Sequence, residues 1–504
     1  MENLLQKKDI IQFLKLNKNK TIVLCHGVFD LVHYGHIEHF KSAKNLGDIL
    51  IVSVTSDKYV KKGINRPYFS ELIRAEAISF LKFVDYLIIN NSMTAIDLIK
   101  QLKPDFYVKG PDYKDKKLDV TGNIYREEKA AKKVNCKVLY TQSKMYSSTK
   151  LINNFFEKDQ SNQFGFIKKI KSQTNQKKMF NLFDKIKKIK ILLIGDAILD
   201  EYIFAEALNK SAKEAILTFS IKKKQKYLGG SLAIANNLAE FCKTVNLISI
   251  TGDNRNENSF IDKNLKKNVK KFFLRSKNNN TILKSRIINE YDNQKQIGLY
   301  NLMDMKLSDT EEKKIIKKIN KLRNKIDFII ISDFGHGIIT NKVLSALKKI
   351  NKKISINSQI NSTNIGKHTL QKFKNLDFMT LNYFELKHEL RENTLSLKDL
   401  TKKLCRQLKL KKIFVTNGSK GSIVYNRKLN SFFEAPGLNN VVKDRIGAGD
   451  SFFSLASLSC SVNAKDSESI FFSSLASYFN LQNFANEQSL DSIELKKAIV
   501  YSLK

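Results

Sequence analysis

The chain is short of proline, cysteine and acidic residues, and each shortage narrows what it can be. Only four prolines occur among 504 residues, with no long low-complexity tract, and 42% of the residues are apolar. That balance suits globular cores rather than an extended or disordered chain. The five cysteines (Cys25, Cys136, Cys242, Cys405 and Cys460) are scattered, without a Cys-x-x-Cys pair. This argues against a zinc site or a disulfide framework and fits a reducing cytoplasm. No apolar run reaches the roughly 18 residues that a membrane helix requires. Residues 1–20 lack the compact apolar block and small-residue cleavage site of a secretory signal. A cytoplasmic protein with no membrane partner is the expectation.

Acidic residues number 49 against 88 lysines and arginines, a formal charge of +39. Such an excess invites a nucleic-acid partner. The lysines, however, run along the whole chain among abundant asparagine and isoleucine, the mixture an AT-rich coding bias gives. No specific nucleic acid is expected. A general, salt-screened attraction for phosphorylated metabolites says nothing about the substrate.

At this length two or more domains are expected. Apolar strand-like runs at residues 21–25, 49–54 and 86–89 alternate with helical patterns at 37–46 and 70–81. The alternation resumes with runs at 191–194, 245–250, 328–331, 353–357 and 412–415. Alternating strands and helices imply parallel sheets covered on both faces. Polar, β-leaning stretches at 216–222 and 281–288 suit a small accessory sheet. Between the halves, residues 157–190 are rich in Lys, Gln and Asn and read as a linker with one amphipathic helix. The division is 1–157, a linker 158–187, and 188–504.

The first chemical constellation is Gly27-Val28-Phe29-Asp30-Leu31-Val32-His33-Tyr34-Gly35-His36, set between a strand and a helical pattern. A strand, a glycine-containing turn and a helix start place backbone N–H groups against an anion. His33 and His36, three residues apart, can both reach a triphosphate and stabilise charge building on its α-phosphate. Alone, the pattern is weak, because histidines at helix starts are often structural. A second piece, Tyr146-Ser147-Ser148-Thr149-Lys150, opens another helical pattern at 150–156. Its hydroxyls read alone as helix caps, and beside the first motif as phosphate contacts.

Residues 20–156 resemble the cytidylyltransferase-like nucleotidyltransferases, through Gly27-x-Phe29-Asp30, His33-x-Gly35-His36, Lys44 and Ser147-Ser148-Thr149-Lys150. The resemblance implies catalytic His33 and His36, with nucleotide contacts from Val28, Phe29, Gly35, Lys44, Ser147, Ser148 and Thr149. The glycerol-3-phosphate cytidylyltransferase type has an arginine ahead of its serine/threonine signature, where this chain has Gln142-Ser143-Lys144-Met145. Arg66-Pro67 and Val108-Lys109-Gly110-Pro111-Asp112-Tyr113-Lys114 are more similar to the heptose-1-phosphate adenylyltransferase type. That likeness favours ATP over CTP and implies substrate contacts from Lys109 and Asp112.

The second constellation is Asp444-Arg445-Ile446-Gly447-Ala448-Gly449-Asp450-Ser451, followed by an apolar helical pattern at 451–458. The glycines allow tight curvature that exposes N–H groups to a phosphate. Asp450 at the helix start can take a proton from a sugar hydroxyl. A glycine turn with a capping aspartate reads the same residues equally well.

Residues 188–490 resemble the ribokinase/PfkB carbohydrate kinases through several ordered motifs. Asp196 and Asp200, in Gly195-Asp196-Ala197-Ile198-Leu199-Asp200, and Gly229-Gly230 are implied as sugar contacts. Asn382 and Glu385, then Thr416, Gly418 and Gly421, are implied on the nucleotide side. Gly447, Ala448 and Gly449 form the implied anion hole, with Asp450 as base. Asp333 is a further substrate candidate, and Lys284 and Arg286 read equally as phosphate contacts or as an exposed strand face. His26 and His39 read as solvated or packing residues. Three positions depart from the family pattern: Ala233 (with Asn237 following) where asparagine is usual, Asn357-Ser358-Gln359 in place of Asp-Pro-Lys, and Ile446 in place of threonine.

The fold expectation is α/β throughout: a Rossmann-like nucleotidyltransferase with a parallel sheet, then a ribokinase-like α/β domain with a small accessory sheet. Together the domains resemble the bifunctional heptose 7-phosphate kinase/heptose 1-phosphate adenylyltransferases, with the order reversed. The resemblance implies sugar phosphates, ATP (or CTP), Mg²⁺ and a homodimer through the kinase domain; no metal-ligating residue is singled out. A CTP-dependent enzyme making a CDP-polyol or CDP-sugar, and a nucleotide sensor without turnover, stay open.

Overall fold

The first apolar run becomes β1 (Ile22–Gly27), a strand buried along nearly its whole length. The computed structural model describes residues 3–60, 66–111, 122–141, 161–210, 214, 216–276, 280–302, 307–361, 364–366, 368–439 and 442–503. They fall into two units, residues 1–164 with 493–504, and residues 165–492.

In the first unit, α1 (Ile10–Leu16) precedes β1, and then α2 (Tyr34–Lys44), β2 (Ile49–Thr55), α3 (Glu71–Ser79), β3 (Tyr86–Asn90), α4 (Ile96–Leu102), β4 (Phe106–Lys109), α5 (Asn123–Lys133) and β5 (Lys137–Tyr140) follow. The sheet is parallel in the order β3-β2-β1-β4-β5. Alternate residues of each strand enter opposite cores. Leu24, Ile51, Ile88 and Tyr107 lie in one, and Val23, Cys25, Val52 and Val108 in the other. A sheet covered on both faces therefore reads as continuous apolar runs, not alternation. Strand order reverses beside β1, so the His33–His36 segment leaves the sheet at its switch point, where such folds bind ligands.

The stretch expected as a linker carries two helices, α6 (Ser161–Gln173) and α7 (Gln176–Ile186). Met179, Leu182, Phe183 and Ile186 recur at helical spacing and are buried. The Phe183 ring packs on Phe241 and, edge to face, on Phe472, at 6.1 and 5.1 Å between centroids. So α7 is part of the second unit's core.

That unit continues with β6 (Lys190–Gly195), β7 (Ala197–Lys210), β8 (Leu217–Gly229), α8 (Gly230–Phe241), β9 (Thr244–Gly252), α9 (Arg255–Asn264), β10 (Val269–Ser276), β11 (Ile282–Asn289) and β12 (Lys295–Asn301). Then come α10 (Asp309–Leu322), β13 (Phe328–Asp333), α11 (Asn341–Lys348), β14 (Ile354–Ser358), β15 (Phe378–Asn382), α12 (Tyr383–Leu390), α13 (Leu397–Gln407), β16 (Lys412–Thr416), β17 (Ser422–Asn426) and β18 (Ser431–Ala435). Helices α14 (Ala448–Ser461) and α15 (Asp466–Asn480) complete it, and α16 (Ser492–Ser502) falls, from Ile493 on, in the first unit.

The main sheet runs β10-β9-β6-β13-β14-β15-β16-β17-β18, parallel from β10 to β16 and antiparallel in the last two pairings. The expected accessory sheet exists as β12-β11-β7-β8. It takes in more chain than the sequence suggested, because Ala197 opens a second long strand instead of continuing β6. Chain direction across the main sheet reverses between β6 and β13, which pair in register from Phe328↔Ile191 to Ser332↔Gly195. Asp196 and Asp333 consequently emerge side by side at this second switch point.

Candidate active sites

In the first unit, His33 caps α2 with an extended backbone, and Tyr34, Gly35 and His36 form its first turn. The His33 and His36 rings stack, 3.9 Å apart and 17° from parallel. Phe29 stands at φ 50°, a left-handed conformation uncommon for an aromatic residue and costly unless its surroundings enforce it. Here they do: its ring is buried, meeting His36 edge-on at 5.3 Å and Phe40 at 4.9 Å. Phe29 thus buttresses His36, and its own ring is buried away from a nucleotide. The Val28 carbonyl accepts from Arg74 Nη1 at 2.5 Å, and the buried Arg74 also holds Thr55 and Phe69 carbonyls and Asp57. Asp30 is spent locally, accepting from Tyr68 N, Phe69 N and Arg66 Nη1. Gly35 lies in the same turn as the histidines.

The structure does not bring Lys44 to this group. It sits at the last turn of α2, paired with Asp85 at 2.6 Å and donating to the Asp48 carbonyl. Lys109 is buried, its ammonium 3.4 Å from Glu127 Oε2 and 3.2 Å from the Tyr107 hydroxyl, and it donates to the His26 carbonyl. Its ammonium is thus engaged inside the sheet's face with Glu127 and Tyr107. Burial pushes Glu127 up, but the Lys109 charge, with further contacts, holds it below the usual carboxylate range. His26 and His39 are buried against Ser53 and Thr141, as packing residues. Burial, with Lys109 second, pushes His39 down to about 4. Asp112, Ser147, Ser148 and Thr149 lie outside the described residues.

In the second unit the motif residues gather along the carboxyl ends of the central strands. Asp450 occupies the first turn of α14, half-buried. Burial pushes its carboxyl up to about 7, Asp200 adds to the rise, and Lys284 opposes it. The N–H groups of a helix's first turn have no intrahelical acceptor, so α14 aims free donors and a positive helix end at whatever sits before it. Gly447 precedes that turn at φ 85°, and a Cβ there would overlap Asn486 Oδ1. Only glycine fits. Ala448 and Gly449 complete the turn, and nothing stands within 4 Å of a Cβ added at Gly449.

Three further aspartates are buried in this unit's site. Asp196 accepts from Phe334 N and His336 N, and burial followed by the Asp333 charge pushes it up to about 7. Asp333 is held by Gly335 N at 3.0 Å and Lys372 Nζ at 2.8 Å. Asp200, on β7, pairs with Arg286 Nη1 at 2.6 Å. Gly229 is required because a Cβ there would overlap Asp200 Oδ2, and Gly230 closes against Asp196, whose carbonyl accepts from Ser231 N. The double glycine thus seats both aspartates at the start of α8.

Lys284 and Arg286 belong to this cleft, not to an exposed strand face. Lys284 is buried, with Phe334 and Tyr300 rings 5.6 and 5.8 Å from its ammonium. Burial lowers its pKa, while Asp200, Asp196 and Asp450 pull it back. Their i, i+2 alternation was the one sequence signal for them. Lys372 gave none, since it lies in a short turn between strands.

Asn382 and Glu385 exchange hydrogen bonds as a capping box at the start of α12. Burial pushes Glu385 up to about 8. Their side chains are therefore committed to the cap, and a nucleotide-side role would act through the helix start they fix. Thr416 ends β16, and Gly418 and Gly421 shape the turn closed by Asn417 N to Gly421 O at 2.7 Å. A Cβ at Gly418 would meet open space.

The departures also find places. Asn237 joins Ser451 Oγ to Leu490 N, pinning α14 from behind. Asn357 donates to the Thr380 carbonyl, and Ser358 meets His368 Nε2 at 2.6 Å. Ile446 packs against Tyr202, Tyr227, Ile288 and Ala485.

Residues 188–492 match the pfkB family carbohydrate kinase model, and residues 24–154 match the Cytidylyltransferase-like model. The bifunctional protein HldE of Campylobacter jejuni is 49% identical over 112 residues, 22% of this chain and 24% of that protein. HldE of Helicobacter acinonychis is 42% identical over 127 residues, 25% of this chain and 27% of that protein. The chain therefore spans about a quarter of the length of these relatives. Phosphofructokinase-2 from Escherichia coli superimposes with a TM-score of 0.51 at 16% identity, covering 63% of this chain and 100% of that one. At that identity the likeness is one of fold.

Proposed function

This chain belongs to the pfkB family of carbohydrate kinases and carries a cytidylyltransferase-like domain ahead of the kinase, and from that premise we propose a bifunctional enzyme that makes a nucleotide-activated sugar. One unit phosphorylates a sugar phosphate of the heptose 7-phosphate type at C1, using ATP. The other joins a sugar 1-phosphate to the α-phosphate of ATP, giving an ADP-heptose-like product and releasing pyrophosphate. A separate phosphatase acts between the two steps.

The observation that carries the kinase reading is Asp450 in the first turn of α14, facing Asp200 and Lys284 across the cleft. Asp196 and Asp200 hold sugar hydroxyls and present the C1 hydroxyl to Asp450. Its oxygen attacks the γ-phosphorus, its proton passes to the Asp450 carboxylate, and ADP leaves with the bridging oxygen. The N–H groups following Gly447 hold the transferring phosphoryl oxygens, and catalysis rests on positioning and fixed donors. Among the described residues no three His, Cys, Asp or Glu side chains converge as a metal site. Mg²⁺ is assigned to the nucleotide, whose phosphates supply most of its ligands and whose charge it neutralises.

In the transferase unit, the stacked His33 and His36 meet the triphosphate at the start of α2 and stabilise charge on the α-phosphate as pyrophosphate departs. ATP is preferred to CTP on the sequence around Lys109 and the absence of an arginine ahead of Ser147. The exposed Ile297 and Leu299, which share one face of β12, are the surface assigned to a second copy of the chain.

Two substitutions test the assignment. His36→Ala removes pyrophosphate release and spares the kinase, and Asp450→Asn does the reverse. A variant that keeps near-normal activity in its own unit refutes that residue's role.

A further inference from the structure

Asp444 opens the segment that leads to Asp450, and its carboxylate is engaged by the protein's own donors. It is buried, and it collects donors from three separate parts of the second unit. Ile446 N and Ala485 N donate to it at 3.1 and 3.0 Å. The Tyr202 hydroxyl, from β7, donates to Oδ2, and the Lys295 ammonium, from β12, pairs with Oδ1. Burial pushes this carboxyl up, but the hydrogen bonds from Lys295, Tyr202, Ala485 and Ile446 prevail and hold it below the usual range. With these donors Asp444 has little capacity left for a substrate.

The two remote donors both come from the accessory sheet. Tyr202 is wholly buried, two residues along β7 from Asp200 and therefore on the same face of that strand. Its ring lies 5.5 Å from Tyr227 edge to face and 5.5 Å from the Lys295 ammonium, and Ile446 packs on the same aromatic cluster. The substitution of isoleucine for threonine in the signature thus extends the contact with apolar surface. One carboxylate joins the strand that carries a sugar-binding aspartate to the loop that carries the anion hole and the base.

The geometry points to Tyr202 and Lys295 as positioning residues of the kinase, which latch the accessory sheet to the Asp444–Asp450 loop through the Asp444 carboxylate and so set the distance between bound sugar and base. This rests on the kinase reading above. The Lys295 ammonium, reaching in from an exposed strand, serves as the counter-ion of the buried Asp444 carboxylate. Without it a buried carboxylate is left with its charge unmatched, a costly state that the loop relieves by moving. A displacement of about 1 Å at a reacting centre costs up to about 100-fold in rate.

The test uses the full chain with Tyr202→Phe and Lys295→Met, which keep most of the packing. Hydrogen exchange is measured without substrate. The latch predicts faster exchange over residues 444–450 in both variants, with β1 of the first unit unchanged. Unchanged exchange over 444–450 in both variants overturns the proposal. ADP release is then followed with MgATP and heptose 7-phosphate. The expected result is a roughly 10- to 100-fold loss in kcat with the KM for ATP held within about 3-fold, and recovery in Lys295→Arg. Full kcat in both variants also overturns it. If the unsubstituted enzyme does not turn over heptose 7-phosphate, the substrate assignment fails, and the exchange measurement alone still decides the latch.

Discussion

As the proposed base, Asp450 must lose a proton to act, and its surroundings favour keeping one. Its pKa, pushed up to about 7 by burial first and by Asp200 second, places that ionisation within the working range of the kinase. For the free enzyme, kcat/KM should therefore rise between about pH 6 and pH 8 and level off above. A pH–rate profile that is flat across this window would remove Asp450 as the base. The same shift bears on stability. A carboxyl raised from 3.8 to about 7 binds its proton more tightly when folded, so its contribution is complete below about 4 and is lost as pH climbs through 7. Asp450→Asn should thus abolish phosphorylation, a loss of at least about 100-fold, and raise the kinase unit's Tm at pH 8 by about 2–4 °C. Thermal scans of both proteins check it, and a lower Tm for the variant would contradict it. Asp450, Asp196, Asp200 and His36 were legible in the sequence because each sits in a short contiguous motif. Tyr202 and Lys372 were not, because their partners Asp444 and Asp333 lie far away along the chain, and only folding brings them together.

At the scale of elements, two glycines and one helix decide the kinase site. Gly229→Ala would press a methyl into Asp200, and Gly447→Ala would both force a left-handed alanine and collide with Asn486. The first should raise the KM for the sugar phosphate, and the second should lower kcat, with pyrophosphate release by the other unit untouched in each. Steady-state kinetics of the two activities in one preparation distinguishes these outcomes from general unfolding. Helix α7 tests the fold itself. Phe183→Ala empties a site packed by Phe241 and Phe472, and such a loss costs about 3–5 kcal/mol. A kinase fragment beginning at residue 188 should accordingly be less stable in urea than one beginning at 165. Strand runs at 49–54, 86–89, 328–331 and 412–415 were readable because parallel strands are apolar throughout. One amphipathic helix was expected between residues 157 and 190; that the stretch holds two, and that α7 packs into the second unit's core, was masked by its many lysines. Strand β12 was hidden differently, since every one of its residues is exposed and no burial pattern marks it.

For the molecule as a whole, the charge of +39 predicts weak, non-specific attraction to polyanions. Binding to a mixed-sequence RNA should fall steeply between about 50 and 200 mM salt. Retention of tight binding at the higher salt would call for a nucleic-acid role. The α/β class, the two-part organisation and the accessory sheet could be anticipated from strand and helix periodicity with the ordered motifs. The identity of the sugar phosphate that the kinase takes could not, since it depends on how side chains from β7, β11 and the ends of β6 and β13 face one another across the cleft. The central claim is that one chain activates a sugar 1-phosphate with ATP, and its most direct test is pyrophosphate release by the 504-residue chain. The assay supplies Mg²⁺, a panel of sugar 1-phosphates including heptose 1-phosphate, and either ATP or CTP. Release with ATP and heptose 1-phosphate, absent in His36→Ala, is the predicted result. Release with CTP alone, or none with any sugar 1-phosphate, would contradict it.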